Sequence, residues 1–311
     1  MPKISIIGAG MTGATTAHWL AERELGDLVL VDVIEGMPQG KGLDLLEAMP
    51  ILGRDVEIVG SNDYAATRGS DIIVLTAGLP RKPGMSRDDL LTANAEIVDK
   101  AATETFKHSP DAIYIVLTNP LDTMAYLTLK LNKLPRERVI GQAGILDSAR
   151  MRAFVALETG ISVENIQCYV LGGHGDEMIP LTHHSNVAGI PLSEYLAADK
   201  LEAIVNRTRK GGGEIVNLLK TGSAYYAPSA AVAQMTEAIL RDRNLVVPCS
   251  AYMQGEYGLQ DMFFGVPVVL NRKGMARIIE YKLSLEEQAL FEKSAAAVKE
   301  THEALRKLVE M

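Results

Sequence analysis

Short apolar runs alternate with helical patterns through the first half of the chain. The runs are almost continuously apolar and are bounded by turn residues, which is typical of parallel strands buried on both faces. They predict strands at residues 3–7, 28–31, 56–60, 71–77, 112–117 and 138–140. The helical patterns between them cover residues 14–25, 43–52, 90–108 and 121–131. This alternation predicts an α/β fold, a doubly wound parallel sheet with helices on both faces.

The pattern changes in the second half, where longer helices separate fewer strands. Strands are predicted at residues 165–171, 244–254 and 266–270, and helices at 147–159, 200–219, 229–241 and 285–310. Three glycines at 211–213 predict a kink in one helix, because no strand precedes them as a phosphate loop would require. We place a boundary between domains 1–142 and 143–311. No flexible linker marks it, so we expect the two domains to share one interface.

The first strand leads into Gly8-Ala9-Gly10-Met11-Thr12-Gly13, a GxGxxG sequence at the start of a predicted helix. Gly8 permits a tight turn, Gly10 lets a pyrophosphate approach the backbone, and Gly13 lets the helix pack closely. Asp32 ends the second strand, where a carboxylate can bind a ribose hydroxyl. These features predict dinucleotide binding, with a ligand-free turn as the alternative. Asp32 would repel a 2′-phosphate and no arginine follows it in residues 33–35, so NAD is favoured over NADP.

Composition narrows the class of protein further. The chain has 311 residues, a net charge of −8 and no basic run, which argues against a nucleic-acid partner. Its two cysteines, Cys168 and Cys249, lack metal-ligand spacing, and no metal site is expected. No apolar stretch is long enough to span a membrane and no signal peptide is recognisable, so we expect a cytoplasmic protein.

Candidate chemistry is concentrated around one histidine. His174 lies in Gly172-Gly173-His174-Gly175-Asp176, a glycine-rich turn that exposes the imidazole after a predicted strand. Asp147 and Arg150 are three residues apart at the start of a predicted helix and therefore share one face. Together they offer an acid–base group, a carboxylate to orient it and a guanidinium to bind an anion. We interpret the other five histidines as structural.

These motifs, in this order, resemble the lactate/malate dehydrogenase family over nearly the whole chain. The segments that carry the resemblance are Gly8-Ala9-Gly10, Thr118-Asn119-Pro120, Leu146-Asp147-Ser148-Ala149-Arg150 and Gly172-Gly173-His174-Gly175-Asp176. The resemblance implies an N-terminal Rossmann domain and a C-terminal α+β substrate domain. It also implies hydride transfer between NAD and a 2-hydroxy acid.

The resemblance further implies a role for each site residue. His174 would be the proton acceptor and donor, with Asp147 as its partner, and Arg150 would bind the substrate C1 carboxylate. Arg87, in the glycine- and proline-rich loop 78–88, would polarise the C2 oxygen. Arg81 in the same loop would set specificity, because the lactate enzymes have Gln there and the malate enzymes Arg. The implied cofactor-binding residues are Gly8, Gly10, Gly13, Asp32, Asn94 and Asn119, and Asn119 would also contact substrate.

Arg81 favours malate and oxaloacetate as substrates, with lactate or another 2-hydroxy acid as the alternative. A protein that binds NAD without turnover is a further alternative, but it would not need His174, Asp147, Arg150 and Arg87 together. The family forms dimers and tetramers, and we expect a homo-oligomer, a tetramer before a dimer. By resemblance, residues 33–52 and 200–219 are candidate interface elements. The Asn119-Pro120 bond is left open between cis and trans.

Overall fold

A computed structural model describes residues 1–80 and 86–309, without the side chain of Arg87. The strands are β1 (Lys3–Ile7), β2 (Asp27–Val31), β3 (Ile58–Ser61), β4 (Ile72–Leu75), β5 (Ile113–Val116), β6 (Val139–Gly141), β7 (Ile166–Gln167), β8 (Val170–Leu171), β9 (Ile179–Pro180), β10 (Asn186–Val187), β11 (Ile190–Pro191), β12 (Leu245–Gln254), β13 (Gln260–Asn271) and β14 (Gly274–Ile278). The helices are α1 (Met11–Glu22), α2 (Met37–Leu52), α3 (Arg87–His108), α4 (Leu121–Leu131), α5 (Gly144–Thr159), α6 (Leu192–Tyr195), α7 (Ala198–Leu219), α8 (Tyr226–Leu240) and α9 (Leu285–Leu308).

The main sheet has nine strands in the order β14-β13-β12-β6-β5-β4-β1-β2-β3. The strands from β3 to β6 are parallel, and β12, β13 and β14 continue the sheet in antiparallel pairing. This confirms the predicted fold class, a doubly wound Rossmann sheet followed by an α+β second half. The join between β6 and β12, at the pair Gly141 and Ser250, carries the sheet past residue 142 without a break. Two smaller sheets, β11-β10-β7 and β8-β9, complete the second half.

Helices cover both faces of the large sheet, as the apolar runs predict. Alternate residues of β1 show this, since Ile4 and Ile6 join one buried cluster and Ile7 joins the other. The first cluster contains buried residues of α1 and α8, and the second contains those of α3 and α4. In a parallel sheet whose two faces are covered by helices, ligands bind in the crevice beyond the carboxyl ends of the strands.

Several boundaries differ from the sequence prediction. Helix α2 begins at Met37, well before residue 43, because Pro38 is accepted in its first turn. Helix α3 begins at Arg87, not at residue 90, since Ser86 and Asp89 form a capping box. The predicted strand 165–171 is two short strands, β7 and β8, and β14 was not predicted. Helix α7 runs through Gly211 to Gly213 without interruption. Within the described residues, no helix combines the length and apolar character needed to cross a membrane.

Candidate active site

The turn that carries His174 is held by three consecutive backbone N–H groups. Each donates to a different element of the fold, so the turn is fixed from three sides. The bonds run from Gly172 to the carbonyl of Gly265 on β13 (2.9 Å), from Gly173 to Ser294 Oγ on α9 (3.0 Å), and from His174 to Asp122 Oδ2 on α4 (3.0 Å). A histidine presented by such a turn has little freedom to change position.

Glycine is required at Gly172 by conformation and by space. Its φ is +90°, and an added Cβ would lie 2.9 Å from Ser294 Oγ. Gly265 has the complementary requirement, since a Cβ there would overlap the carbonyl oxygen of Gly172. The glycines predicted to expose the histidine therefore also admit the neighbouring strand and helix.

Asp147 joins the histidine to the predicted anion-binding arginine. One carboxylate oxygen lies 2.9 Å from His174 Nδ1, and the other accepts a hydrogen bond from Arg150 Nη1 at 3.1 Å. The three side chains are 2%, 18% and 11% exposed for Asp147, His174 and Arg150. The structure thus brings together the three residues that the sequence singled out. With Nδ1 held by the carboxylate, Nε2 is the ring nitrogen free to exchange a proton.

The charges around His174 favour its protonated form. Burial opposes the imidazolium, but the Asp147 carboxylate, and more weakly Asp122, outweigh it and raise the pKa of His174 above its ordinary value. Arg150 acts in the opposite direction. The imidazole therefore holds its proton to a higher pH than an ordinary histidine does.

Asp122 is a site residue that sequence reasoning missed. Its side chain is buried, where Oδ1 accepts a hydrogen bond of 2.5 Å from Ser250 and Oδ2 accepts the His174 N–H. Burial raises the pKa of the Asp122 carboxyl, while those two hydrogen bonds oppose the rise. The available signal was a carboxylate within the apolar sequence Leu121 to Leu129, a position that calls for a dedicated partner.

Arg150 lies against helix α7 at a point where only glycine fits. A Cβ on Gly211 would overlap Arg150 Cδ and would lie 2.6 Å from its Nε. The Arg150 guanidinium also approaches the carbonyl of Thr208, one turn earlier on the same helix, at 3.5 Å. Among the glycines at 211–213, Gly211 thus lets the Arg150 side chain pass close to the helix backbone.

The glycine-rich turn between β1 and α1 fits a pyrophosphate. Gly8 has a φ of +102°, and a Cβ there would lie 2.7 Å from Ala77 N. A Cβ on Gly13 would overlap the carbonyl oxygen of Gly8, whereas the position beside Gly10 is open space. Helix α1 has no side-chain cap and no acidic residue in its first turn. Its first N–H groups and its positive dipole end are therefore available to an anion.

Asp32 is tied to that turn. Its Oδ2 accepts the Ala9 N–H at 2.7 Å and its Oδ1 accepts the Ile34 N–H at 3.0 Å. Lys41 Nζ donates to the Ala9 carbonyl at 2.7 Å from helix α2. The carboxylate is half-buried at the end of β2, and each of its oxygens can accept one more hydrogen bond.

Asn94 and Asn119 meet at the ends of β4 and β5. Asn94 is buried, and its carboxamide bonds the backbone N–H of Leu79 at 2.7 Å and the carbonyl of Asn119 at 2.7 Å. Asn119 is exposed, and its bond to Pro120 is cis. Asn94 thus connects the end of β4 to Asn119, which lies at the open edge of the sheet.

A cavity of about 750 Å³ lies beside His174 and Arg150. Its other walls come largely from helix α7, including Asn206, Arg209 and Lys210. The predicted specificity residue Arg81 and the side chain of Arg87 lie outside the described residues. Among the described residues, no group of three or more His, Cys, Asp or Glu side chains could hold a metal ion.

The strand order 3-2-1-4-5-6, with a glycine-rich turn after β1, defines the class of Rossmann-fold dinucleotide-binding proteins. Within that class, the chain belongs to the lactate/malate dehydrogenase family. The family model for the lactate/malate dehydrogenase NAD binding domain matches residues 2–141. The model for the lactate/malate dehydrogenase alpha/beta C-terminal domain matches residues 145–309.

Individual relatives support this membership, and their matches cover nearly the whole length of both chains. A malate dehydrogenase of Roseiflexus sp. (strain RS-1) is 61% identical over 305 residues, 98% of this chain and 99% of the relative. The structure of malate dehydrogenase from Picrophilus torridus in its apo form matches with a TM-score of 0.97 at 45% identity, covering 99% of this chain and 98% of that one. The lactate dehydrogenase from Cryptosporidium parvum, complexed with lactic acid and β-nicotinamide adenine dinucleotide, matches at 0.95 and 39% identity, covering 98% of both chains.

Proposed function

We propose that this protein is an NAD-dependent malate dehydrogenase that interconverts (S)-malate and oxaloacetate, a reaction of the tricarboxylic acid cycle. One observation carries the proposal, the contact of 2.9 Å between His174 Nδ1 and a buried Asp147 that also pairs with Arg150. An acid–base group beside an anion-binding guanidinium is what oxidation of a hydroxy acid requires. Malate dehydrogenases among the full-length relatives support the choice of substrate.

His174 handles the proton of the reaction. In malate oxidation, Nε2 of the neutral imidazole accepts the proton of the C2 hydroxyl, while the hydride leaves from C2. NAD, when bound, supplies the nicotinamide C4 that accepts this hydride. Asp147 holds the Nδ1–H tautomer and stabilises the imidazolium that forms, as a carboxylate does in a catalytic triad. In the reverse direction the imidazolium returns its proton to the C2 oxygen.

Arg150 binds the C1 carboxylate through the two parallel hydrogen bonds that a guanidinium offers. The family resemblance gives the polarisation of the C2 oxygen to Arg87 and the second carboxylate to Arg81. A dianionic substrate needs such a local set of cations because the protein as a whole carries a net charge of −8. His174 and Arg87 would together stabilise the negative charge that develops on the C2 oxygen during reduction.

The glycine-rich turn would hold the cofactor pyrophosphate at the N-terminus of α1, through the N–H groups after Gly10. Asp32 would accept hydrogen bonds from a ribose, and its charge disfavours the 2′-phosphate of NADP. Asn119 would contact cofactor and substrate directly. Asn94 contributes by fixing the backbone of Leu79 and Asn119, because its carboxamide is already bonded to them.

Oxidation of NADH by oxaloacetate tests the proposal, with pyruvate and NADPH as the two controls. We expect rapid turnover of oxaloacetate with NADH, and kcat/KM at least about 100-fold lower for pyruvate, since the enclosed charge of Arg81 would lack a partner. NADPH should be a poor donor. Comparable activity on pyruvate would assign the protein to the lactate enzymes. The absence of turnover with either acid would favour an NAD-binding protein without this activity.

Replacing Gly211 with Ala should weaken substrate binding. The added methyl group overlaps Arg150 Cδ, so the arginine must move away from the carboxylate that it binds. We expect KM for oxaloacetate to rise, with kcat/KM about 10- to 100-fold lower.

Gly213→Ala is the matched control, because a Cβ there meets no atom within 4 Å and the residue lies on the same helix. It should leave Arg150 in place, so kcat/KM should change far less than in Gly211→Ala. Equal kinetic constants for the two variants would show that the Arg150 position does not depend on Gly211.

We also propose that the chain divides into an NAD-binding domain 1–142 and a catalytic domain 143–311, and that it works in the cytoplasm as a homo-oligomer. Helix α2 supports an interface between copies, because Leu43, Leu46 and Ile51 on it are exposed. The end of α7 does so as well, with Leu218 exposed. Family resemblance favours a tetramer over a dimer, and sedimentation velocity distinguishes the two.

A further inference from the structure

We propose that Ser294, on the C-terminal helix α9, is a positioning residue for the proton-transfer histidine. The inference rests on the proposed function, because the role of Ser294 is to keep His174 in register with Asp147. It adds α9, distant in sequence from every motif of the site, to the elements on which proton transfer depends.

The contact of Ser294 is short and excluded from water. The side chain is fully buried, and its Oγ accepts the Gly173 N–H at 3.0 Å. An added Cβ on Gly172 would lie 2.9 Å from the same oxygen, and a Cβ on Gly173 would lie 3.7 Å from it. The hydroxyl therefore fits closely against the first two residues of the turn. Without it, the Gly173 N–H would be left buried and unpaired, which costs free energy because the group has lost its bond to water.

Helix α9 is fixed on both sides of Ser294. One turn before it, the ring of Phe291 packs edge-on against Phe264 of β13 with centroids 4.8 Å apart. Two turns after it, His302 Nε2 accepts the backbone N–H of Phe263 at 3.3 Å. Positions 291, 294 and 302 share one face of a helix, so these contacts set the depth at which the serine hydroxyl meets the turn.

The end of α9 is also tied to α4, the helix that carries Asp122. Arg306 donates to the hydroxyl of Tyr126 on α4 at 2.7 Å and pairs with Asp261 at 2.7 Å. Helices α4 and α9 thus form one supported unit, and each gives one acceptor to consecutive N–H groups of the turn. Asp122 holds His174 itself, and Ser294 holds the residue before it.

Loss of one acceptor should loosen the turn without removing any group that touches substrate. The distance from His174 Nδ1 to Asp147 would then no longer be held at 2.9 Å. Two effects follow from a longer and more variable distance. Proton transfer becomes slower because the ring is misaligned, and the influence of Asp147 on the imidazolium weakens, which brings the pKa of His174 down towards its ordinary value.

Ser294→Ala is the test. We expect kcat for oxaloacetate reduction to fall about 5- to 50-fold, while KM for oxaloacetate and for NADH changes less than about twofold, because Ser294 contacts neither Arg150 nor the glycine-rich turn between β1 and α1. The pH at which reduction loses half its rate should move lower. The same shift should appear in the cofactor-free protein, in the pH dependence of His174 modification by diethyl pyrocarbonate, followed by peptide mass analysis.

Thr301→Ala is the matched control on the same helix, since among the described residues the Thr301 hydroxyl bonds the Ala297 carbonyl and no part of the turn. It should change none of these quantities. Ser294→Cys, which keeps a weak acceptor of similar size, should fall between the wild type and the alanine variant, and it serves if the alanine variant does not fold. A Ser294 variant with lower melting temperature but unchanged kcat and His174 titration would overturn the proposal. A wild-type protein inactive on oxaloacetate would instead overturn the proposed function.

Discussion

Replacement of His174 by Asn should lower turnover of oxaloacetate and malate by about 10²–10⁴-fold, the usual contribution of a positioned acid–base group. Asparagine is polar and smaller than histidine, so it fits the site without a clash. It cannot exchange a proton at neutral pH. The backbone N–H of residue 174 still donates to Asp122, and the turn should remain in place.

NADH binding is the control for this variant, because the role proposed for His174 concerns the substrate and not the cofactor. Fluorescence titration should give a dissociation constant for NADH within about threefold of the wild type, since Asp32 and the glycine-rich turn between β1 and α1 are unchanged. A His174→Asn protein that keeps near-normal turnover would remove the histidine from the mechanism. A protein that loses NADH binding as well would point to a general disturbance of the site.

The pH dependence of the wild-type rates provides a second test of the role of His174. Malate oxidation needs the neutral imidazole, so its rate should rise as pH increases through the His174 pKa. Oxaloacetate reduction needs the imidazolium and should fall over the same interval. Because Asp147 helps to raise that pKa, both transitions should lie above the ordinary value for histidine, and both should be absent from His174→Asn.

Arg81→Gln should lower kcat/KM for oxaloacetate. The expected loss of transition-state stabilisation is roughly 2–4 kcal/mol, the range for breaking a desolvated charge pair. The assignment comes from the family resemblance, because Arg81 lies outside the described residues. Arg150 and Arg87 are already assigned to the C1 carboxylate and the C2 oxygen, so the second carboxylate requires another partner.

The same substitution should raise activity on pyruvate. With pyruvate bound, Arg81 would be enclosed without a counter-charge, which costs free energy, whereas the neutral Gln tolerates a methyl group. Steady-state kinetics with both substrates give the ratio before and after the change, and Lys82→Gln is the control for loss of a charge at the adjacent position in the sequence. If the ratio responded to Lys82 and not to Arg81, the specificity role would pass to the lysine.

The sequence predicted the parallel sheet well because its strands are buried on both faces and leave continuous apolar runs. It also indicated His174, Asp147 and Arg150, since the glycines around His174 and the charged pair at 147 and 150 are visible in the sequence itself. Support from distant residues left no comparable signal. Ser294 is one serine in a helix, and only the packing of α9 against β13 brings its hydroxyl to Gly173.

Other differences have local physical causes. β14 was missed because Gly274 to Ile278 includes two exposed positions, one of them an arginine, which weaken the apolar signal of an edge strand. The predicted strand 165–171 divides because Gln167 and Val170 pair with different partners, β10 and β9. Gly211 could not be distinguished from its two neighbours by sequence, since its requirement comes from Arg150 across the interface between α5 and α7.

The join between β6 and β12 has a consequence for how the chain matures on the ribosome. The parallel strands are complete at Gly141, but the partner that covers the outer side of β6 begins only at Leu245. Until that segment emerges, β6 is an open edge whose unpaired N–H and C=O groups can recruit a strand from another molecule. A nascent or truncated chain is therefore at greatest risk of aggregation in this interval, and the late hairpin β12–β13 is what ends the exposure.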